Sequence, residues 1–348
     1  MRPRFPRIDG HQAWIAPVLV LSLTLLTACA PRVGGSAASP APAERTPIRI
    51  GYLSVLDDAP AMLAQEAGLY DKHGLKAELQ AFASGTDLIK AIVGGQLDAG
   101  VLGFTNAITW ASQGADLKVV GGAQMGYHSL LVRKGAGIKT LADLRGRRLA
   151  TQQRGSTADI VLNGVVLPSA GLKRQDVQLL YVSPSVAIES LAAGRVDAAF
   201  VFEPYDRMAR LTASVTPIYE IGKAWPFPCM VVIASGKTLK SNRNAVDRLL
   251  AAQKEAILTL REQPDEAARL LAPRFLPAGV VQSSDGPVPA ASVVADAIRS
   301  QTFDWRINEE QVKRMQEIAD MMVQQGVLAK PVDVGLFLDL SWQGGDGA

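Results

Sequence analysis

Polar and apolar positions alternate in short stretches along this chain, separated by runs in which apolar residues recur every three to four positions. Pro47-Ile48-Arg49-Ile50-Gly51-Tyr52-Leu53 alternates as a strand does, and loop residues follow through Pro60. Ala61 to Tyr70 reads as a helix that breaks at Lys72-His73-Gly74, after which Leu75-Lys76-Ala77-Glu78-Leu79 alternates again. Strand and helix keep taking turns to about Leu131, a rhythm that predicts the α/β class with a mainly parallel sheet flanked by helices. Residues 91–99 (AIVGGQLDA) and 190–198 (SLAAGRVDA) repeat one unit, a helical run that closes on Gly and passes into a strand through Leu or Val, Asp and Ala. Gly95 and Gly194 suit the left-handed residue that ends a helix. One unit used twice predicts two lobes of similar build.

The last third has a different pattern. Ser241 to Gln263 is a long amphipathic helix, with Asn242 or Asn244 as its cap and Pro264 as its stop. Residues 273–290 are rich in Pro and Gly and read as loop, Ala291–Ser300 and Asn308–Gln325 as helices, and Gly326 as the end of the last one. The tail is expected to pack on the first lobe.

The other end of the chain reads as an address. Residues 14–26, WIAPVLVLSLTLL, are almost wholly apolar but shorter than the ~20 residues that span a bilayer. Arg2, Arg4 and Arg7 precede them and small residues follow, the pattern of a signal peptide over 1–28. Leu26-Thr27-Ala28-Cys29 resembles the bacterial lipobox, which implies cleavage before Cys29 and diacylglycerol on its thiol. Stable anchoring takes more than one acyl chain, since each buried CH₂ contributes only ~0.8 kcal/mol. Residues 30–46 are rich in Ala, Pro, Gly and Ser and read as a flexible tether, so that 29–46 joins lipid to folded body. The expected location is the periplasmic side or cell surface, held to the membrane by the N-terminal lipid.

Composition narrows the chemistry. A chain of 348 residues with 48% hydrophobic and 20% charged positions is globular and long enough for two lobes. Its net charge is +3, of which Arg2, Arg4, Arg7 and Asp9 in the leader supply +2, so the body gives no electrostatic case for nucleic acid. Of two cysteines, Cys29 is assigned to lipid and Cys229 remains, among Trp225, Pro226, Phe227, Pro228, Met230 and Val231, as a packing thiol. No CxxC motif or metal-ligand spacing is present, so neither metal nor cofactor is expected. There is no Gly-x-Ser-x-Gly elbow, and His73 and His128 have no nucleophile patterned beside them, so the chain does not read as an enzyme.

IRIGYLSVLDDAPAMLAQEAGLYDKHGLKAEL, SGTDLIKAIVGGQLDAGVLG and SLAAGRVDAAFVFEPY together resemble the nitrate/sulfonate/taurine class of periplasmic solute-binding proteins, related to binders of thiamine-precursor pyrimidines. The resemblance covers about 47–235 well and the helical tail loosely. It implies a two-lobed periplasmic-binding-protein fold of type II with the ligand in the interlobe cleft. It also implies a monomer that hands a small-molecule ligand to an ABC permease in the membrane. The lobes would be 47–130 plus 230–348 and 131–229, joined by crossings at Tyr127–Lys134 and Phe227–Ser235. A pyrimidine-precursor synthase shares this fold but carries a cysteine-rich metal motif that this chain lacks. The alternative to transport is a ligand-sensing module for a membrane receptor.

Ligands of open α/β sheets sit beyond the carboxyl ends of the strands, and five segments meet that condition. Asp57 reads as cleft-facing, whereas Asp58, just ahead of Pro60, reads first as a helix cap and second as a ligand group. Ser84 and Thr86, Thr105 and Asn106, and Ser156 and Thr157 beside Arg154 place hydroxyls, amides and free N–H groups at helix starts, as ordinary caps or as anion sites. The resemblance favours binding for Ser84, Thr105 and Ser156. Glu203, before Pro204, is a partner for an amino group or another cap. His128, with Tyr127, Trp225 and Phe227, lies near the hinge and either stacks on a planar ligand or packs in the core. Acids beside anion-friendly helix starts suit a zwitterion such as an aminosulfonate, or an aminopyrimidine, better than plain nitrate.

Overall fold

The computed structural model describes residues 45–345, so the signal peptide, Cys29 and most of the tether lie outside the described residues. Two mixed sheets organise the body. Nine strands come first: β1 Thr46–Leu53, β2 Leu75–Phe82, β3 Ala99–Gly103, β4 Leu117–Met125, β5 Ser129–Arg133, β6 Arg148–Thr151, β7 Gln178–Tyr181, β8 Ala198–Val201 and β9 Val215–Glu220. β10 Pro228–Ser235, β11 Val280–Ser283, β12 Gly286–Pro289 and β13 Thr302–Phe303 complete the set. The six-stranded sheet runs β13-β4-β10-β3-β1-β2 and the five-stranded sheet β7-β6-β8-β5-β9. Apart from the extra edge strand β13, the two orders are one arrangement used twice.

Within each sheet three strands pair in parallel, β2, β1 and β3 in the first and β7, β6 and β8 in the second, and a fourth, β4 or β9, runs the same way. The sheets are thus mainly parallel, as expected, with β10 set against β3 and β4, and β5 against β8 and β9. The reason is connectivity. β5 and β10 are the strands by which the chain enters one sheet from the other, and each runs back from the end where the parallel strands finish. The chain crosses at 126–128 and returns at 221–227.

The repeated unit seen in the sequence folds the same way in both sheets. Arg49 donates its backbone N–H (2.9 Å) and its Nε (3.0 Å) to Asp98, and its Nη1 (2.9 Å) to the Gly95 carbonyl. Arg148 makes the same set with Asp197 (2.9 and 3.2 Å) and the Gly194 carbonyl (3.1 Å). Gly95 and Gly194 hold φ of +74° and +70°, the left-handed region that a Cβ disfavours, and each turns the helix back so that its carbonyl meets the guanidinium. All residues of β3, β8 and β10 are buried, as central strands covered on both faces should be.

The helical readings hold with three corrections. The expected helix Ala61–Tyr70 is two, Ala59–Glu66 and Leu69–Lys72, parted at Gly68. Pro264 does not merely stop the helix Arg243–Glu262; it opens the next, Pro264–Phe275, in the first turn, where its missing N–H costs nothing. Residues 273–290 are not loop throughout: β11 and β12 form a hairpin in which the apolar Val281 and Val288 pair. The tail touches both halves rather than the first alone, since Gln325 Nε2 donates to the Ile160 carbonyl (3.0 Å) and Ser300 Oγ to Glu203 (2.9 Å). No helix among the described residues is long and apolar enough to cross a membrane.

Candidate functional site

The loop after β1 places two carboxyl groups at the strand end. Leu56–Asp58 form a single tight turn into the helix Ala59–Glu66. Asp58 is fully buried and accepts the Leu53 N–H (2.7 Å), so it ties the loop back to the strand it left. It makes no side-chain bond to the helix that follows, which corrects the capping expectation. Asp57 is 5% exposed, and its Oδ1 has no hydrogen-bond partner. Burial, and then the charge of Glu203 from the other sheet's side, pushes the Asp57 carboxyl well above the usual range. Burial does the same to Asp58, against the pull of its Leu53 bond.

The other strand-end loops divide into caps and contacts. Ser84 accepts the Asp87 N–H and caps the helix Gly85–Val93, and Ser156 accepts the Asp159 N–H at the next helix start, so both are ordinary caps. Thr86 is half-buried in the first turn. Thr105, after β3, and Thr157, after β6, point their hydroxyls at each other across the two halves at 3.0 Å. Gly103 makes this approach possible, because a Cβ there would lie 3.1 Å from Thr157 Oγ1. Asn106 is half-buried beside Gly85, where a Cβ would come within 2.9 Å of its Cγ.

Two residues join this cluster that sequence reasoning did not place there. Cys229, at the start of β10, lies close to Thr157; burial raises its thiol well above the ordinary value, the charge of Asp57 adds to the rise, and Thr157 opposes it. Gln152, just past β6, lies near His128, and its Nε2 is unpartnered. The signal for Gln152 was its position, just ahead of the Arg154–Thr157 segment read as a strand-end loop. Cys229 was legible only as an apolar neighbour.

His128 packs as a core aromatic would, stacked on Phe200 at 5.2 Å and edge-on to Phe202 at 5.9 Å. Burial lowers it to about 4, so the ring is neutral, with Nδ1 unpartnered. Glu203 is fully buried, and both its oxygens are engaged: Oε2 accepts the Arg207 N–H (3.1 Å) and Oε1 the Ser300 hydroxyl (2.9 Å). This is the capping role, extended to fasten the tail. Burial and the charge of Asp206 push it to about 7. Tyr127 donates to Asp206 (2.5 Å), which Arg210 holds in a fork (2.8 and 2.6 Å), fixing the crossing at 126–128 to the second half.

Among the described residues no group of three or more His, Cys, Asp or Glu could hold a metal. A cavity of about 430 Å³ lined by Arg49, Gly95, Asp98, Asp116 and Lys237 lies at the opposite ends of the first sheet's strands. Another, of about 480 Å³, lies between Arg154 and Arg174 of the second half and Gln324 and Gln325 of the tail. Neither holds the groups just described, which meet where the strand-end loops of both sheets face each other.

The model of the NMT1-like family matches residues 41–273, two thirds of the chain. This chain belongs to the NMT1-like family. Among solved structures, it is 27% identical to the periplasmic aliphatic sulphonate binding protein SsuA from Escherichia coli, with a TM-score of 0.73, covering 86% of this chain and 98% of that one. The alkanesulfonate-binding protein SsuA from Xanthomonas axonopodis pv. citri, bound to MOPS, is 25% identical, with a TM-score of 0.70 over 86% of this chain and 99% of that one. Part of the nitrate import ATP-binding protein NrtC of Synechococcus elongatus is 34% identical over 173 residues, 45% of this chain and 26% of that one. The desulfurization enzyme DszB, 17% identical with a TM-score of 0.61, shares the fold alone. This NMT1-like chain is thus a two-lobed solute-binding fold whose near relatives bind rather than transform.

Proposed function

We propose that this chain is the substrate-binding component of an ABC importer for a small polar organic solute of the sulfonate type, and that it binds its cargo without chemistry. The observation that carries the reading is the Thr105–Thr157 contact, which brings loops from both sheets together around Asp57, Asn106, Cys229 and Gln152. Similarity to two sulfonate-binding proteins along most of their length supports the class of ligand. The lobes divide as 47–130 plus 230–348 and 131–229. A ligand held by both favours the closed arrangement by its extra affinity for it. A permease then receives the closed form, the protein working as a monomer held by lipid on Cys29 after removal of the leader. Cys29→Ser releases the chain from membranes on this reading, and unchanged fractionation contradicts it.

The test of the binding role is a thermal-shift screen of the purified full chain against aliphatic sulfonates, taurine, nitrate and amino-substituted heterocycles. Ligand at 100 times Kd adds about 2.7 kcal/mol, a shift of several degrees for a chain of this size. A shift with organic sulfonates supports the reading. No shift with any sulfonate overturns the ligand class.

A further inference from the structure

We infer that Glu203 and Ser300 form a proton-operated latch between the second half and the tail, fastened while Glu203 carries a proton and loosened when it is ionised.

Ser300, the last residue of the helix Ala290–Ser300, has its hydroxyl 2.9 Å from Glu203 Oε1 and 2.8 Å from the Ala297 carbonyl. A serine hydroxyl has one hydrogen to donate, and an ionised Glu203 has none. With Glu203 ionised, two acceptors therefore compete for one hydrogen. If Glu203 takes it, the Ala297 carbonyl keeps only a longer side-chain contact, Gln301 Nε2 at 3.4 Å. A proton on Oε1 removes the conflict: Glu203 donates to Ser300, Ser300 donates to Ala297, and Oε2 still accepts the Arg207 N–H (3.1 Å). At a fully buried carboxyl that difference counts, because no water replaces a missing partner.

The surrounding charges also oppose ionisation. Asp206 lies on the same side, and Arg210 is spent on it (2.8 and 2.6 Å). Asp57 from the first half and Tyr127 from the crossing both feel the charge of Glu203, and His128 beside them is neutral. Arg207 is the cation that eases ionisation, and its Nε has no hydrogen-bond partner. On the tail's helix Arg299 is paired with Asp265 (2.5 Å) and Asp296 (3.3 Å), and β11, packed on the helix Tyr205–Thr212, has no charged residue. Burial first and Asp206 second raise the carboxyl from 4.5 to about 7.

The latch lies beside the crossing between the halves. Gln301, next after Ser300, accepts from Gln124 Nε2 (2.9 Å), and Thr302 and Phe303 pair with Met125 and Gln124, which lead into 126–128. Tyr127 of the crossing holds Asp206, three residues past Glu203. Since the folded state raises the carboxyl, the latch is fully made below about 4.5 and is lost as pH rises through about 7. One consequence rests on the solute-binding reading above: a solute gripped by both halves is held more tightly below that pH than above it.

Hydrogen–deuterium exchange of the full chain without added solute, at about pH 6 and about pH 8.5 and corrected for the intrinsic pH dependence of exchange, tests the latch separately from any cargo. Protection of residues 296–303 is expected to fall about tenfold or more between the two in wild type. In Glu203→Gln, whose amide donates to Ser300 at every pH, the fall is expected to be about twofold or less. Circular dichroism shows whether that variant is folded; if it is not, Ser300→Ala decides, since without the hydroxyl the tail should be protected equally at both pH values. Equal protection in wild type at both pH values, or a tenfold fall that survives Glu203→Gln or Ser300→Ala, overturns the latch.

Discussion

The two halves of this protein share one frame and differ at its mouth. In each, three parallel strands are pinned by an Arg–Asp pair that also caps a glycine-terminated helix, Arg49–Asp98 with Gly95 and Arg148–Asp197 with Gly194. Beyond the strand that carries the arginine, the halves part company. After β1 come Asp57 and Asp58, buried acids; after β6, at the same places about a hundred residues on, come Ser156, a satisfied cap, and Thr157, a contact across the cleft. A duplicated scaffold leaves its loops free to diverge, because the strands and pins carry the stability. The divergence therefore marks where recognition is decided: two buried acids from one half, hydroxyls facing them from the other.

The largest effect that sharpens this contrast concerns pH. Glu203 sits at about 7 against an ordinary 4.5, raised by burial first and by Asp206 second. The folded state favours the protonated form, so Glu203's contribution is fully present below about 4.5 and is lost as pH rises through about 7. His128 runs the other way: lowered to about 4 from 6.5 by burial, it contributes stability above 6.5 that is lost as pH falls towards 4. Between those limits the two oppose each other. Glu203→Gln removes one limb and should raise stability at pH 7.5 relative to pH 4.5 by about 3 kcal/mol compared with wild type, read from urea midpoints. An unchanged difference would contradict the burial account of Glu203.

The next effect tests the shared frame. Asp98→Ala and Asp197→Ala each strip a carboxylate that accepts a backbone N–H and a guanidinium, in equivalent places. Each should cost about 2 kcal/mol, and the double variant should cost close to the sum, since the pairs share no partner. Unequal losses would break the claim that the halves are pinned alike. The smallest effect sets Asp57 against its counterpart Ser156. Asp57→Asn removes an unpaired buried acid and should stabilise the ligand-free chain by about 1 kcal/mol, while Ser156→Ala removes a cap and should destabilise it by about the same. Both are read as thermal midpoints. A loss from Asp57→Asn would mean that Asp57 serves the fold rather than the ligand.

Much of the frame was legible in the sequence, because strand alternation, helix periodicity and the repeated Gly-x-x-Asp-Ala unit are local signals. The antiparallel strands β5 and β10 were not, since direction depends on which sheet the chain is leaving, a long-range fact that no window of residues carries. The hairpin at 280–289 was hidden by its Pro and Gly content, which reads as loop until Val281 and Val288 are seen to pair. At the site, sequence reasoning found the strand-end loops but could not tell caps from contacts. Ser84 and Ser156 are caps and Thr105 and Thr157 are contacts, and the difference lies in which hydroxyl meets the other half. The sequence separated Asp57 from Asp58 as cleft group and cap, but only the fold shows that Asp58 takes the Leu53 N–H instead of capping the helix.

The claim at the centre is that one solute is held by both halves at their strand ends. Hydrogen–deuterium exchange of the full chain, with and without the sulfonate that gives the largest thermal shift, tests it directly. The account predicts simultaneous protection of residues 54–58 and 103–106 in the first half and 152–157 in the second. Protection confined to one half, or centred on Arg49, Asp98 and Lys237 at the far ends of the strands, would contradict it.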